Sequence, residues 1–257
     1  MRLENQIAIV TGAGGTGGIG EAIARRFVAE GATVVVCDID EEKARGVAHA
    51  LGPRAVPWAC DVKSSARIDA MVTETVRRFG RLDILVNNVG FTVPGFLREL
   101  GDKDWHHVLD ACLSSTFYGI RAALGPMRSQ KSGSIINIGS AAGVGGAPGL
   151  GVYGAAKAGV ISLTQTAALE NFKAGVRINC VLPNAATKPL LEWFDTTPGG
   201  RKTRAAIEAY SRCGSPDEIA SAVLFLAGAD SSYVNGAILP VDGGLSARQA
   251  CVDAEIE

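Results

Sequence analysis

Apolar positions along the chain fall into two patterns. Short, nearly uninterrupted runs rich in valine and isoleucine lie at 7–11, 33–37, 55–60, 82–87, 134–138, 177–182 and 237–241. Runs of this length and composition are strands buried on both faces. Between them, stretches at 19–30, 41–51, 64–79, 102–129, 152–174 and 216–228 repeat their apolar residues at helical spacing. Strands alternating with helices predict an α/β fold, a doubly wound parallel sheet of seven strands flanked by helices. No long repeat, low-complexity tract or Pro/Ser linker interrupts the alternation, so the reading is one domain over 1–257. One segment, 184–213, reads as irregular; it carries Pro189, Pro198, Gly199 and Gly200 together with Trp193 and Phe194. A segment of this kind is expected to be a substrate lid, or else a surface insertion.

Composition narrows the classes of function. The 257 residues include 25 Lys or Arg against 26 Asp or Glu, a net charge of −1. A nucleic-acid binder would carry a basic excess, and a membrane-surface protein a basic amphipathic helix; neither is expected here. The first apolar run is too short for a leader or a membrane span, so a cytoplasmic protein is expected. Six scattered cysteines without a C-x-x-C pair predict reduced thiols, and three histidines without ligand spacing predict no protein-bound metal. Glycine, with 32 residues, is the outlier, clustered at 12–20, 143–151 and 243–244. Such clusters mark backbone that is closely approached or unusually turned.

The first cluster, Thr11-Gly12-Ala13-Gly14-Gly15-Thr16-Gly17-Gly18-Ile19-Gly20, follows the first predicted strand and opens a helix. Backbone N–H groups and a helix dipole can meet a pyrophosphate there, because no side chains stand between. Asp38 ends the second strand, where a carboxylate accepts hydrogen bonds from both adenosine ribose hydroxyls and repels a 2′-phosphate. NAD is therefore favoured over NADP. Asp38 could instead cap the next helix, but Asp40, followed by Glu41 and Glu42, suits that role better.

Ser140 follows the fifth strand, and Tyr153 and Lys157 stand four residues apart on one helix face. An ammonium beside a phenol favours the phenolate and allows proton exchange near neutrality. A nearby serine hydroxyl can hold a substrate oxygen.

With Thr11 to Gly20, Cys60-Asp61-Val62, Asn87-Asn88-Val89-Gly90, Ser140, Tyr153 with Lys157, Arg177 to Pro183 and Val241-Asp242-Gly243-Gly244, the chain resembles the short-chain dehydrogenase/reductase family over nearly its whole length. The resemblance implies a Rossmann-like domain, usually a homotetramer, that transfers hydride between nicotinamide and a carbonyl or alcohol. It casts Tyr153 as the general acid or base, Ser140 as the group polarising the substrate oxygen, and Lys157 as the ribose ligand that favours the phenolate. Cofactor contacts implied are Gly12, Gly14, Gly18, Ile19, Gly20, Asp61, Val62, Asn88, Gly90, Pro183 and Thr187, with Asp38.

Four departures stand out. The glycine loop is two residues longer than the family's, which leaves open which glycine meets phosphate. Cys112 occupies the place of the family's catalytic Asn. A thiol cannot reproduce an amide's hold on the water that links the lysine to solvent, so the proton relay is slower or rerouted through Ser114, Ser115 or backbone carbonyls. Asn184 follows Pro183 where glycine is usual, and Thr187 stands one place early, with Lys188 where the hydroxyl residue is expected. The substrate site is expected beside Tyr153 and Ser140, walled by 91–97, 142–150 and the lid. These walls suit a hydrophobic or acyl-CoA-type secondary alcohol or ketone. Trp193 and Phe194 would cover it or pack as core, and the basic residues of the lid would meet coenzyme A phosphates or form a solvated face. The alternative, raised by Cys112, is a catalytically weak dinucleotide-binding protein; an epimerase using the same Tyr–Lys pair is disfavoured.

Overall fold

The computed structural model describes residues 1–184, 187–209 and 212–247. The strands are β1 (Ile7–Thr11), β2 (Thr33–Asp38), β3 (Ala55–Ala59), β4 (Ile84–Asn87), β5 (Gly133–Ile138), β6 (Val176–Pro183) and β7 (Ile238–Val241). They form one parallel sheet in the order β3-β2-β1-β4-β5-β6-β7. The helices are α1 (Ile19–Ala29), α2 (Glu41–Leu51), α3 (Ser65–Phe79), α4 (Asp102–Leu109), α5 (Ser115–Gln130), α6 (Gly151–Asn171), α7 (Lys188–Thr196), α8 (Pro198–Glu208) and α9 (Pro216–Ala227). The expected Rossmann-like, seven-stranded architecture is present, and Asp40 caps α2 by accepting the Lys43 N–H.

The strands are apolar throughout because both sheet faces are covered. Successive side chains point to opposite faces. Ala8, Val10, Val34, Val36, Ile84, Val86 and Ile136 therefore pack with α1, α2 and α9. Ile9, Val35, Cys37, Leu85 and Ile135 pack with α3, α5 and α6. Strand order reverses between β1 and β4, and the carboxyl ends of these strands open the crevice where open α/β sheets bind ligands.

Two predicted elements differ from those observed. The helix expected over 102–129 is two helices joined by a π-helical turn, Asp110–Ser114, with Cys112 at its centre. Turns of this type mark local departures from regular packing, often at functional sites. The segment expected to be irregular contains α7 and α8. Pro198 stands in the first turn of α8 after Thr197, whose Oγ1 accepts the Gly200 N–H at 2.9 Å. A first-turn proline loses no helical bond, so a residue read as a breaker here starts a helix. A Cβ on Gly200 would fall 2.0 Å from the Trp193 carbonyl oxygen, so this glycine permits close packing. Phe194 is 1% exposed and anchors α7, whereas Trp193 is 39% exposed. Of the pair, Phe194 is core packing.

Candidate active site

The glycine loop is drawn onto β4 by side-chain bonds. Thr11 Oγ1 donates to the Val86 carbonyl at 3.2 Å and accepts the Asn88 N–H at 3.0 Å. Asn88 Nδ2 donates to the carbonyls of Thr11 (2.9 Å) and Gly12 (3.1 Å). The turn needs Gly12, whose φ is +62°, and α1 begins against it so closely that a Cβ on Gly20 would lie 2.3 Å from the Gly12 oxygen. These are backbone approaches only glycine permits.

The lengthened part of the loop turns toward the second strand. Asp38 Oδ2 accepts the Gly14 N–H at 2.9 Å and Oδ1 accepts the Asp40 N–H at 3.1 Å. Gly14 is thus committed to Asp38 and does not line the crevice, whereas Gly12, Gly15, Thr16, Gly18, Ile19 and Gly20 do. The crevice is a cavity of about 670 Å³. Asp38, Asp61, Val62, Asn88, Gly90, Pro183 and Thr187 also line it. Its bare amides, helix N-terminus and half-buried carboxylate fit an extended dinucleotide.

At the other end stand Tyr153 and Lys157, held on α6. A buried chain of hydrogen bonds fixes that helix. Asn87 Nδ2 donates to Asn137 Oδ1, and Asn137 Nδ2 donates to Thr164 Oγ1, both at 2.9 Å, tying β4 and β5 to α6. Sequence reasoning missed Asn137 and Thr164 as positioning residues; polar side chains inside an apolar strand and helix were their signal.

Lys157 is 1% exposed, and its Nζ donates to the Ile138 carbonyl at 2.7 Å. It lies 5.6 Å from the centre of the Tyr153 ring. A Cβ on Gly90 would stand 3.6 Å from Lys157 Nζ and 3.9 Å from Tyr153 Oη, so Gly90 leaves the space between these groups and the crevice open. An ammonium has three donors and this one donates a single bond among the described residues, so two remain for a ligand.

Ser140 Oγ accepts the Ala142 N–H at 3.2 Å. That leaves its own hydrogen free to donate, although Gly139, not Ser140, forms the cavity wall. Cys112 is fully buried and does not line the cavity; its Sγ accepts the Phe91 N–H at 3.3 Å and donates to the Phe91 carbonyl at 3.2 Å. The thiol is therefore occupied in holding the strand-to-loop turn. Ser114 Oγ is tied to Asp110 and Ser115 Oγ to the Ala111 carbonyl, so neither takes the amide's place beside Lys157.

Within segment 184–213 Arg204 pairs with Asp195 and Glu208, and Arg212 pairs outward with Glu218 of α9. Among the described residues no group of three His, Cys, Asp or Glu could hold a metal, and no helix is long and apolar enough to cross a membrane.

A crevice for a dinucleotide at the sheet's switch point, ending at a Tyr–Lys pair, defines an oxidoreductase that interconverts CH–OH and carbonyl groups. The family model for enoyl-(acyl carrier protein) reductase matches residues 12–246, and the chain belongs to the short-chain dehydrogenase/reductase family. It is 39% identical to the (2S)-[(R)-hydroxy(phenyl)methyl]succinyl-CoA dehydrogenase subunit BbsD of Thauera aromatica, over 96% of this chain and 98% of that protein. It is 36% identical to the 3-oxoacyl-[acyl-carrier-protein] reductase FabG of Thermotoga maritima, over 95% and 99%. The crystal structure of NAD+-bound xylitol dehydrogenase superposes with a TM-score of 0.88 at 30% identity, covering 95% of this chain and all of that one.

Proposed function

We propose that the protein is an NAD-dependent dehydrogenase or reductase for a secondary alcohol or ketone on a hydrophobic or acyl-CoA-type substrate. The observation that carries the cofactor choice is Asp38. Its carboxylate lines the adenosine end of the crevice, oriented by the Gly14 and Asp40 amides. Each oxygen keeps lone pairs for ribose hydroxyls, and a 2′-phosphate would bring like charge against it. The xylitol dehydrogenase neighbour holds NAD+, and the relatives named for succinyl-CoA and acyl-carrier substrates support the acyl-linked class.

The bound nicotinamide supplies the hydride acceptor or donor. In oxidation, Tyr153 Oη takes the hydroxyl proton as general base while Ser140 donates a hydrogen bond to the same substrate oxygen. In reduction Tyr153 returns that proton to the carbonyl oxygen. The neighbouring Lys157 ammonium holds the ribose with its remaining N–H groups. Gly12, Gly18, Ile19 and Gly20 receive the pyrophosphate, Asp61 and Val62 the adenine, and Asn88, Gly90, Pro183 and Thr187 the nicotinamide half. The domain reading is a single unit, with α7 and α8 as the substrate lid. A cytoplasmic homotetramer completes the reading; α5, α6 and the turn after α6 expose Phe117, Leu169 and Phe172, side chains that suit burial between copies.

A second reading, a dinucleotide-binding protein with little turnover, is favoured by one observation: Cys112 is locked to Phe91 and supplies no amide oxygen beside Lys157. The deciding experiment measures NAD- and NADP-linked turnover over hydrophobic secondary alcohols, hydroxysteroids and hydroxyacyl-CoA thioesters, with Tyr153→Phe alongside. NAD-linked turnover abolished in the variant supports the enzyme. Tight NADH binding with a silent panel supports the second reading.

A further inference from the structure

The substrate end of the crevice carries polar groups that the hydride-transfer reaction does not use. Past Gly90 the wall is formed by Phe91, Thr92, His107 and Ala111. Besides the Tyr153–Lys157 pair, His107 is the ionisable side chain at this end among the described lining residues. Its exposed imidazole makes no hydrogen bond to a described residue, and its ring stands edge-on to Phe91, with centroids 4.6 Å apart and planes at 83°. The backbone of Phe91 is itself clamped on both sides by Cys112, which holds the turn that carries this ring. Beside it, Thr92 Oγ1 is shut off from solvent and has no hydrogen-bond partner among the described residues. A buried hydroxyl without a partner is costly, and a change of staggered rotamer exchanges it with the methyl group. An imidazole in either tautomer and a threonine hydroxyl are both donors.

We infer that His107, assisted by Thr92, is a specificity-determining site that donates hydrogen bonds to a second acceptor oxygen of the substrate, beyond the reacting carbon. The substrate class is then a 3-oxo or 3-hydroxy carbonyl compound, such as a thioester or ester, rather than an isolated alcohol. The inference rests on the oxidoreductase reading of the same site and deepens it. The Cys112 clamp on the Phe91 backbone holds the turn that carries Phe91 and Thr92.

The test compares ethyl 3-oxohexanoate with 1-ethoxyhexan-3-one, which has the same chain and lacks only the second carbonyl. NADH-linked kcat/KM is measured on both for the parent, His107→Phe, His107→Gln and Thr92→Val. Taking the ratio of the two substrates within each variant, relative to the parent, cancels their intrinsic electrophilicity and any loss of active protein. His107→Phe keeps the contact with the Phe91 ring but has no donor, and its ratio is expected to fall about tenfold, the value of one hydrogen bond. Thr92→Val is expected to lower the ratio in the same direction, and His107→Gln, which restores a donor, to recover part of the loss. A ratio unchanged in His107→Phe and Thr92→Val overturns the inference while leaving the oxidoreductase reading intact. A parent inactive on both ketones and on the wider panel removes that reading and this inference with it.

Discussion

Replacing Asp38 by asparagine separates charge from shape at the adenosine end of the crevice. The carboxamide keeps an acceptor oxygen for the loop, where the aspartate now takes the Gly14 and Asp40 amides at 2.9 and 3.1 Å. It loses the negative charge, and one of these two amides then meets an NH2 group in place of an oxygen. Two unit charges about 4 Å apart interact by about 4 kcal/mol at an effective dielectric near 20. Asp38 is half-buried, so solvent screening leaves about 2 kcal/mol for a 2′-phosphate held against it. At about 1.4 kcal/mol per tenfold, removing this repulsion raises NADP use about 30-fold. Loss of the charge-assisted bonds to the ribose hydroxyls weakens NAD in the same variant, so the preference shifts from both sides. The assay is the ratio of kcat/KM for NAD and NADP in parent and Asp38→Asn, at low and high salt, with thermal unfolding to confirm that the loop still closes. A ratio that moves less than threefold while the variant unfolds at the parent's temperature would refute the charge argument.

Other outcomes follow from the same geometry. Cys112→Asn offers the Phe91 backbone a donor and an acceptor and puts an amide where the family carries its asparagine, so kcat is expected to rise; an unchanged kcat in stopped-flow turnover places the proton's exit elsewhere. Arg177 donates to carbonyl oxygens of Leu226, Gly228 and Ser231 and to Ser231 Oγ, closing the end of α9. Arg177→Met removes these charge-assisted bonds and is expected to cost about 3 kcal/mol. That corresponds to a calorimetric Tm lower by roughly 6–12 °C, and a shift under 2 °C contradicts the account. Burial works against the Asp242 carboxylate, but the Ser246 and Gly244 N–H groups outweigh it and hold its pKa below the ordinary carboxylate value. A depressed folded-state value contributes stability above the unfolded pKa of about 4 that is lost as pH falls through the folded one. Asp242→Asn should therefore flatten the acid limb of a urea-unfolding series below about pH 4, and an identical limb would show the carboxylate is not involved.

The amino-acid sequence by itself determined the elements and the chemistry they carry. Seven valine- and isoleucine-rich runs could only be strands covered on both faces, and their alternation with helical periods implied the parallel sheet, because period and propensity are local properties. Tyr153 and Lys157 were readable as a pair because helical spacing alone places them on one face, and Asp40 as a cap because capping needs only its own first turn. Only the tertiary structure decided the rest. Gly14 meets Asp38 across 24 residues, Cys112 clasps Phe91 across 21, and Asn137 reaches Thr164 across 27. Such bonds depend on how strands and helices are stacked, and no local period records them. The same holds for 184–213. Prolines and glycines there read as irregular chain, yet Pro198 opens α8 and Gly200 admits the Trp193 backbone. Proline breaks a helix interior but suits its first turn, and which position it takes is settled by what the helix packs against.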